Sequence, residues 1–221
     1  MGQNSKSPYG KISQVIYTED RLSFPISWLQ KQDYCEYQIY LENIRGIKVR
    51  QTQAMVMGYR EHKQLYEQFA KEAVPSTVDQ MITESKENKL LSREFRVIDT
   101  EHGIHGFIDE VWFSPDSFVV IDDKPGARVY LSNIRQVLGY CLAFKYGTVG
   151  SDGRQIIGAL RERGTSNICW QSPLDKSAEE ETVVIVEHIH DLLAGRVPFK
   201  STDNTAKCKA CRLNSVCENV K

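Results

Sequence analysis

The feature that most constrains the fold is a pair of apolar segments joined by a tight turn. Ile104–Phe113 and 118–124 are strand-like in composition, and Ser114-Pro115-Asp116-Ser117 lies between them. A Pro-Asp turn between two such segments predicts an antiparallel β-hairpin. Because side chains alternate along a strand, we expect Asp122 and Lys124 on one face of the second strand and Asp123 on the other.

The remaining periodicity predicts a mixed α/β domain. We expect an N-terminal helix opened by Phe24-Pro25-Ile26-Ser27, with Ser27 as its N-cap, and a last helix opened by a capping box of Ser177 and Glu180. Further helices are predicted at about 51–71 and from 133 to near 147, and further strands at 90–98, 155–160 and 167–170. This order favours a mixed central sheet flanked by helices over a regular doubly wound fold. It predicts a polar tail over 1–23 and a single domain over 24–221.

Two carboxylates and a lysine at the end of an apolar sheet are costly to bury without a partner. Asp109, Asp122 and Lys124 form such a set. Mg²⁺ or Mn²⁺ prefers carboxylate oxygens, makes a bound water more acidic, and leaves the ammonium to stabilise developing charge. Asp-x-Lys alone is a weak pattern, and an exposed salt bridge on a strand is the alternative. If the register differs, Asp123 replaces Asp122 as the ligand.

The cysteines are distributed for metal binding rather than for disulfides. Cys208, Cys211 and Cys217 are crowded near the C-terminus, and Cys35 stands alone near the N-terminus. Three thiolates need a fourth donor, and Cys35 is the natural candidate; it would tie the two ends of the domain together. Thiolate chemistry leaves zinc and an iron–sulfur cluster both open. We interpret Cys141 and Cys169, which lie in apolar patterns, as small core residues.

Charge and hydropathy exclude few partners. The net charge of −1 gives no support to nucleic-acid binding, although 195–221 carries six basic residues against Asp203 and Glu218. No apolar run is long enough for a transmembrane helix, and the first ten residues do not resemble a secretory signal. We therefore expect a cytoplasmic protein without a membrane partner.

The hairpin and its flanks resemble the RecB-like branch of the PD-(D/E)xK nucleases. In that branch a Gly-x-x-Asp precedes (Asp/Glu)-x-Lys, and a Gln-x-x-x-Tyr lies on the next helix. The matching residues are Gly106 and Asp109, Asp122 and Lys124, and Gln136 and Tyr140. The resemblance also implies a metal-binding histidine on an early helix, matched by His62, and a further acidic residue, matched by Glu94. Asp122 is a departure, because close relatives usually have glutamate there.

One early cysteine and three late ones around such a core resemble the CRISPR-associated adaptation nucleases of the Cas-four type, over about 24–218. The resemblance implies a [4Fe–4S] cluster held by Cys35, Cys208, Cys211 and Cys217, and Mg²⁺ or Mn²⁺ held by His62, Asp109 and Asp122. It implies an exonuclease that trims single-stranded or frayed DNA ends with the CRISPR integrase. Arg128, Tyr130 and Arg135 are candidate DNA contacts. The alternatives are a zinc-binding DNA-binding module and a repair or recombination nuclease of the same fold.

Overall fold

A computed structural model describes residues 7–17 and 21–220, apart from the side chain of residue 54. Its sheet is mixed and flanked by helices, as the sequence predicts. The sheet order is β1-β2-β4-β5-β6-β7, with β3 paired to β4. The strands are β1 (Ile16–Tyr17), β2 (Leu22–Pro25), β3 (Leu90–Asp99), β4 (Ile104–Phe113), β5 (Ser117–Lys124), β6 (Gln155–Glu162) and β7 (Ile168–Pro173).

Along the chain, the helices lie before β3, between β5 and β6, and after β7. They are α1 (Ser27–Cys35), α2 (Tyr37–Ile39), α3 (Gln53–Glu72), α4 (Val78–Glu84), α5 (Leu131–Phe144), α6 (Lys176–Leu193) and α7 (Thr205–Ala210). π-helical turns at Tyr40–Ile44 and Lys145–Val149 extend α2 and α5, and a 3₁₀ turn lies at Asn214–Val216. No helix in the described part of the chain has the length and apolar character needed to cross a membrane.

Strand β4 organises the sheet, because three strands pair with it. Antiparallel β3 covers one edge from Phe113 to Ile104, and on the other edge antiparallel β5 covers Phe113 to Glu110. Parallel β2 pairs with β4 at Ile104 and His105. Since β3 occupies the whole of one edge, β2 and β5 share the opposite edge and leave a gap between them. Asp109 lies at the end of that gap.

Helix α5 covers the sheet with an apolar face that is almost entirely buried. Phe113, Phe118 and Phe144 meet there edge to face, with ring centroids between 5.4 and 5.9 Å apart. Such arrangements add about 0.5–1.5 kcal/mol per pair beyond the burial itself. The rigid packing of α5 on the sheet fixes Gln136 and Tyr140 relative to β4 and β5. Cys141 is fully buried in this core, as predicted, whereas Cys169 is only half-buried on β7.

Two local predictions of helix starts were wrong. Phe24 and Pro25 belong to strand β2, where Phe24 is fully buried, and Ser27 is the first helical residue rather than the N-cap. The last helix is capped by Asp175, whose side chain accepts from the Ala178 N–H, so Ser177 is not its cap. The domain boundary drawn at residue 24 falls inside β2. Ile12, within the predicted tail 1–23, is 1% exposed in the core.

Candidate active site

Glu94 and Asp109 face each other where the β3–β4 ladder is interrupted. Every residue of β3 pairs with one of β4 except Glu94, which lies between the pairs Arg93–Glu110 and Phe95–Ile108. Glu94 has φ +49°, a left-handed conformation that costs a residue with a Cβ about 1–3 kcal/mol. The interruption releases both residues from regular pairing, and their side chains contribute to one cluster.

His62, on α3, completes this cluster. Its Nδ1 lies 3.5 Å from Asp109 Oδ1 and 3.7 Å from Glu94 Oε1. One ligand atom from each of the three residues lies within 4.8 Å of the other two. An octahedral cation with oxygen ligands at about 2.0–2.1 Å holds neighbouring ligand atoms about 3 Å apart and opposite ones about 4 Å apart. The separations therefore fit a hard divalent cation after a small contraction.

The electrostatics of the cluster also fit a cation. Burial and the neighbouring Asp122 charge raise the pKa of Asp109 well above its usual range, although the Asp123 N–H donates to it at 2.6 Å. Burial raises the pKa of Glu94 as well. Burial and the Arg163 charge lower the pKa of His62, which keeps its imidazole neutral and able to bind a metal. A divalent cation would relieve the crowding of the carboxylates and favour their ionised forms.

Asp122 and Lys124 lie side by side on β5 and connect the cluster to α5. Lys124 Nζ is 2.7 Å from Asp122 Oδ2 and donates to Gln136 Oε1 at 2.9 Å. Asp122 Oδ2 is buried, and apart from this ion pair it accepts no hydrogen bond of normal geometry from the described residues. It therefore keeps acceptor capacity for a cation or a water. Asp122 lies outside the compact donor set, which contains Glu94 instead.

Gln136 and Tyr140 lie one turn apart on the buried face of α5. Gln136 Nε2 donates to the Tyr140 hydroxyl at 3.4 Å. Burial and the charges of Asp122 and Asp109 raise the pKa of Tyr140, so its phenol stays neutral and can donate a hydrogen bond. Gly106 provides the space for the ring, because a Cβ there would lie 2.8 Å from Tyr140 Cε1. The glycine three residues before Asp109 thus has a steric role in the site.

Asp123 points to the opposite face of the sheet, as the alternation predicts. Its carboxylate accepts from Arg161 Nε at 2.8 Å and Nη2 at 3.0 Å, and from Arg93 Nη2 at 3.2 Å. Both arginines also contact the buried carboxylate of Glu110. This buried network of Arg93, Glu110, Asp123 and Arg161 lies on the face of the sheet opposite to Asp122 and Lys124. Asp123 therefore has all its acceptor capacity directed away from the cluster of Glu94 and Asp109.

Two surfaces flank the site. On the α3 side, an open groove is lined by residues that include aromatic and basic side chains: Tyr59, His62, Lys63, Tyr66, Glu94, Phe107 and Asp109. Tyr59 is 72% exposed and Phe107 56%, which is unusual for rings beside a polar site. On the α5 side, Arg128 lies 5.0 Å from the centre of the half-exposed Tyr130 ring. Arg135 instead forms an ion pair with Asp33.

The four predicted cluster cysteines line one pocket, together with residues of α1 and of the C-terminal segment. Cys35 ends α1, Cys208 lies in α7, and Cys211 and Cys217 follow it. All six cysteines of the chain are free thiols. N–H groups are directed at two of the pocket sulfurs: Thr202 at Cys35 Sγ (3.4 Å), and Gln38 Nε2 (3.3 Å) and Leu213 N (3.4 Å) at Cys211 Sγ. Such donors stabilise thiolates, the form that binds metal, although burial outweighs them at Cys35 and raises the pKa of its thiol.

The residues predicted for the site lie around one cluster, but sequence reasoning missed the surroundings that hold them. It took Glu94 from the resemblance alone and did not single out Tyr59, Tyr66 or Phe107. For Tyr59 and Tyr66 the available signal was a pair of aromatic residues on the polar side of a predicted helix. Arg161 and Arg163 gave no signal in the sequence, because their roles depend on the pairing of β5 with β6.

One family of known proteins matches most of this chain. The model of the PD-(D/E)XK nuclease superfamily matches residues 47–218. A solved structure described as "Crystal structure of SSO0001" aligns over 91% of this chain and 89% of its own, with 13% identity and a TM-score of 0.42. The search of curated proteins gives no match. The chain belongs to the PD-(D/E)XK nuclease superfamily, whose members are metal-dependent nucleases.

Proposed function

We propose that this protein is a Mg²⁺- or Mn²⁺-dependent DNA exonuclease that trims single-stranded or frayed ends. The observation that carries the proposal is the placement of Glu94 and Asp109 at the one interruption of the β3–β4 ladder, with His62 over them. Left-handed backbone at Glu94 and crowded carboxylates both cost stability. A function that uses them accounts for that cost.

His62, Glu94 and Asp109 would hold the cation, with Asp122 beside them. A bound Mg²⁺ or Mn²⁺ makes water more acidic and neutralises charge on a phosphodiester. The mixed nitrogen and oxygen donor set suits Mn²⁺ at least as well as Mg²⁺. Around it, Asp122 and Gln136 hold the Lys124 ammonium in place, where it stabilises the negative charge that develops as the phosphodiester is cleaved. The neutral Tyr140 hydroxyl supplies a further donor.

The preference for unpaired ends rests on the groove beside the carboxylates. Tyr59, Tyr66 and Phe107 present exposed rings next to Glu94 and Asp109. Bases of a single strand stack on such rings for about 1–3 kcal/mol each, whereas the bases of an intact duplex are already stacked on each other. Arg128 and Tyr130 place a further basic group and a further aromatic ring in the pocket on the α5 side of Lys124.

The test compares a labelled single strand, a duplex with splayed ends and a blunt duplex, each with Mn²⁺ or Mg²⁺. We expect rapid loss of terminal nucleotides from the first two and slow digestion of the third. Lys124→Ala should lower the rate about 100-fold or more, while Lys176→Ala, which removes an exposed ammonium, serves as the matched control. Cleavage of the blunt duplex at the same rate, or full activity of Lys124→Ala, would refute the proposal.

We further propose that Cys35, Cys208, Cys211 and Cys217 hold a [4Fe–4S] cluster with a structural role. Four thiols lining one pocket, with N–H groups directed at the sulfurs, fit a four-thiolate site. Protein purified without air should be brown and contain iron and sulfide. A colourless protein containing zinc would contradict the cluster and establish the zinc alternative.

The biological setting that we propose is the trimming of spacer precursors, with the CRISPR integrase as partner. Its support is the combination of the nuclease residues with the four-cysteine pattern. Co-purification of the tagged chain with the integrase, and trimming of precursors to the length that the integrase inserts, would bear it out. An active nuclease that neither binds the integrase nor changes insertion would instead be a repair or recombination enzyme.

A further inference from the structure

Helix α3 is weakly attached to the rest of the domain, although it carries His62. It has 20 residues, and none of the 19 whose side chains the structure describes is buried. The chain on either side of it, over 46–52 and 73–77, has no regular structure. A helix with so little buried surface gains little from packing. The position of His62 over Glu94 and Asp109 must therefore depend on a few specific contacts.

Arg163 provides such a contact, and it is anchored to the catalytic strand. It follows the last residue of β6, and its backbone N–H donates to the Lys124 carbonyl at 2.8 Å. Its Nη2 donates to the Asp123 carbonyl at 3.1 Å. Both acceptors are backbone carbonyls of consecutive residues at the end of β5. The backbone and the guanidinium of Arg163 thus both hydrogen-bond to the strand that carries Asp122 and Lys124.

The same guanidinium reaches α3. Arg163 Nη1 donates to Glu61 Oε2 at 3.1 Å, one residue before His62. It also lies 3.0 Å from the position that a Cβ on Gly58 would occupy, so the absence of a side chain at Gly58 lets the helix approach. The Arg163 side chain is only 11% exposed, which leaves its interaction with Glu61 less screened than an ordinary surface pair.

We propose that Arg163 is a positioning residue that holds α3 against β5 and so sets the place of His62 beside Glu94 and Asp109. This inference rests on the proposed metal site. The guanidinium is only 11% exposed, and its one nitrogen without a hydrogen-bond partner among the described residues, Nε, is buried, so it is poorly placed to contact a phosphate. Its bonds connect α3 with β5, and β5 pairs with β4, the strand that carries Asp109.

The affinity of the nuclease site for Mn²⁺, measured by electron paramagnetic resonance titration without DNA, tests the inference. We expect His62→Ala to weaken Mn²⁺ binding at least about 10-fold. Arg163→Ala should weaken it about 10-fold, and Glu61→Gln by a smaller factor. In the His62→Ala background, Arg163→Ala should have no further effect. Arg196→Ala, which removes an exposed ion pair with Asp191, is the matched control and should bind as the wild type does.

Gly58→Ala provides a second test that leaves Arg163 in place. The added Cβ meets Nη1 and should separate α3 from β5, weakening Mn²⁺ binding several-fold; in the Arg163→Ala background the same change should have no effect. Glu61 is half-exposed, so Glu61→Gln keeps the test valid if Arg163→Ala fails to fold. Unchanged affinity in Glu61→Gln and Gly58→Ala, with weakened binding in His62→Ala, would overturn the positioning role alone. Unchanged affinity in His62→Ala would overturn the proposed metal site, and the positioning role with it.

Discussion

Replacement of Asp109 by asparagine should stabilise the fold while it removes activity. Burial and the neighbouring Asp122 charge raise the pKa of Asp109, and the Asp123 N–H at 2.6 Å and the Lys124 charge offset them only in part. An asparagine oxygen can still accept that N–H, but it carries no charge. The variant therefore keeps the hydrogen bond and loses the electrostatic cost, along with one ligand of the cation.

The size of the effect follows from proton linkage. A carboxyl whose pKa is raised on folding binds its proton more tightly in the folded state, so wild-type stability falls as pH rises from the unfolded pKa through the folded one. Each unit by which folding raises the pKa costs about 1.4 kcal/mol of stability at a pH above both pKa values. We expect Asp109→Asn to gain about 1–4 kcal/mol, or at least about 3 °C in Tm.

Thermal unfolding without added divalent cation, repeated from pH 4 to pH 8, measures this gain. The difference between variant and wild type should be small at pH 4 and grow as pH rises. Added Mn²⁺ should raise the Tm of the wild type and leave that of the variant unchanged. Asp116→Asn, in the exposed hairpin turn, is the matched control. A variant less stable than the wild type at pH 7 would refute the argument that Asp109 is held at a cost.

Three further variants test the supports of the site. Arg161→Ala leaves Glu110 and Asp123 short of a buried partner and should cost about 3–5 kcal/mol in urea unfolding; an unchanged midpoint would contradict the network's role. Gly106→Ala should cost about 1–3 kcal/mol and lower cleavage by displacing Tyr140, whereas Gly126→Ala, with open space around it, should do neither. Cys208→Ser should lose the brown colour and lower the Tm, while Cys169→Ser retains both; a fully coloured Cys208→Ser protein would remove Cys208 from the ligand set.

The sequence predicts the hairpin and the side on which each of its charged residues lies, because both depend on local chemistry. The Pro-Asp pair favours the turn. The alternation of side chains along β5 places Asp122 and Lys124 on one face of the sheet and Asp123 on the other. The parallel pairing of Phe24 with Ile104 is not local, so the same apolar residues at 24–26 could equally open a helix. Whether Asp175 or Ser177 caps α6 depends on where the helix packs against the rest of the domain, and the local sequence does not determine this.

The site was predicted as a set of residue types, and its geometry was not. The proximity of Glu94 to His62 depends on a left-handed backbone and a missing ladder pair, which no spacing rule indicates. Arg163 reaches Glu61 and Asp123 only because β6 lies parallel to β5. The groove with exposed aromatic rings forms between α3 and the pair of strands β3 and β4. Contacts between distant segments, rather than local propensity, decide these features.

The central claim is that one divalent cation binds between His62, Glu94 and Asp109. The most direct measurement is anomalous diffraction, at the manganese edge, from crystals grown with Mn²⁺. We predict a single strong peak that is lost below the edge, unlike the signal of the [4Fe–4S] cluster, within about 2.0–2.3 Å of a His62 nitrogen and of carboxylate oxygens of Glu94 and Asp109. This peak should be absent from crystals of Asp109→Asn. A manganese-specific peak elsewhere in the protein instead, or none at a saturating concentration of Mn²⁺, would contradict the account.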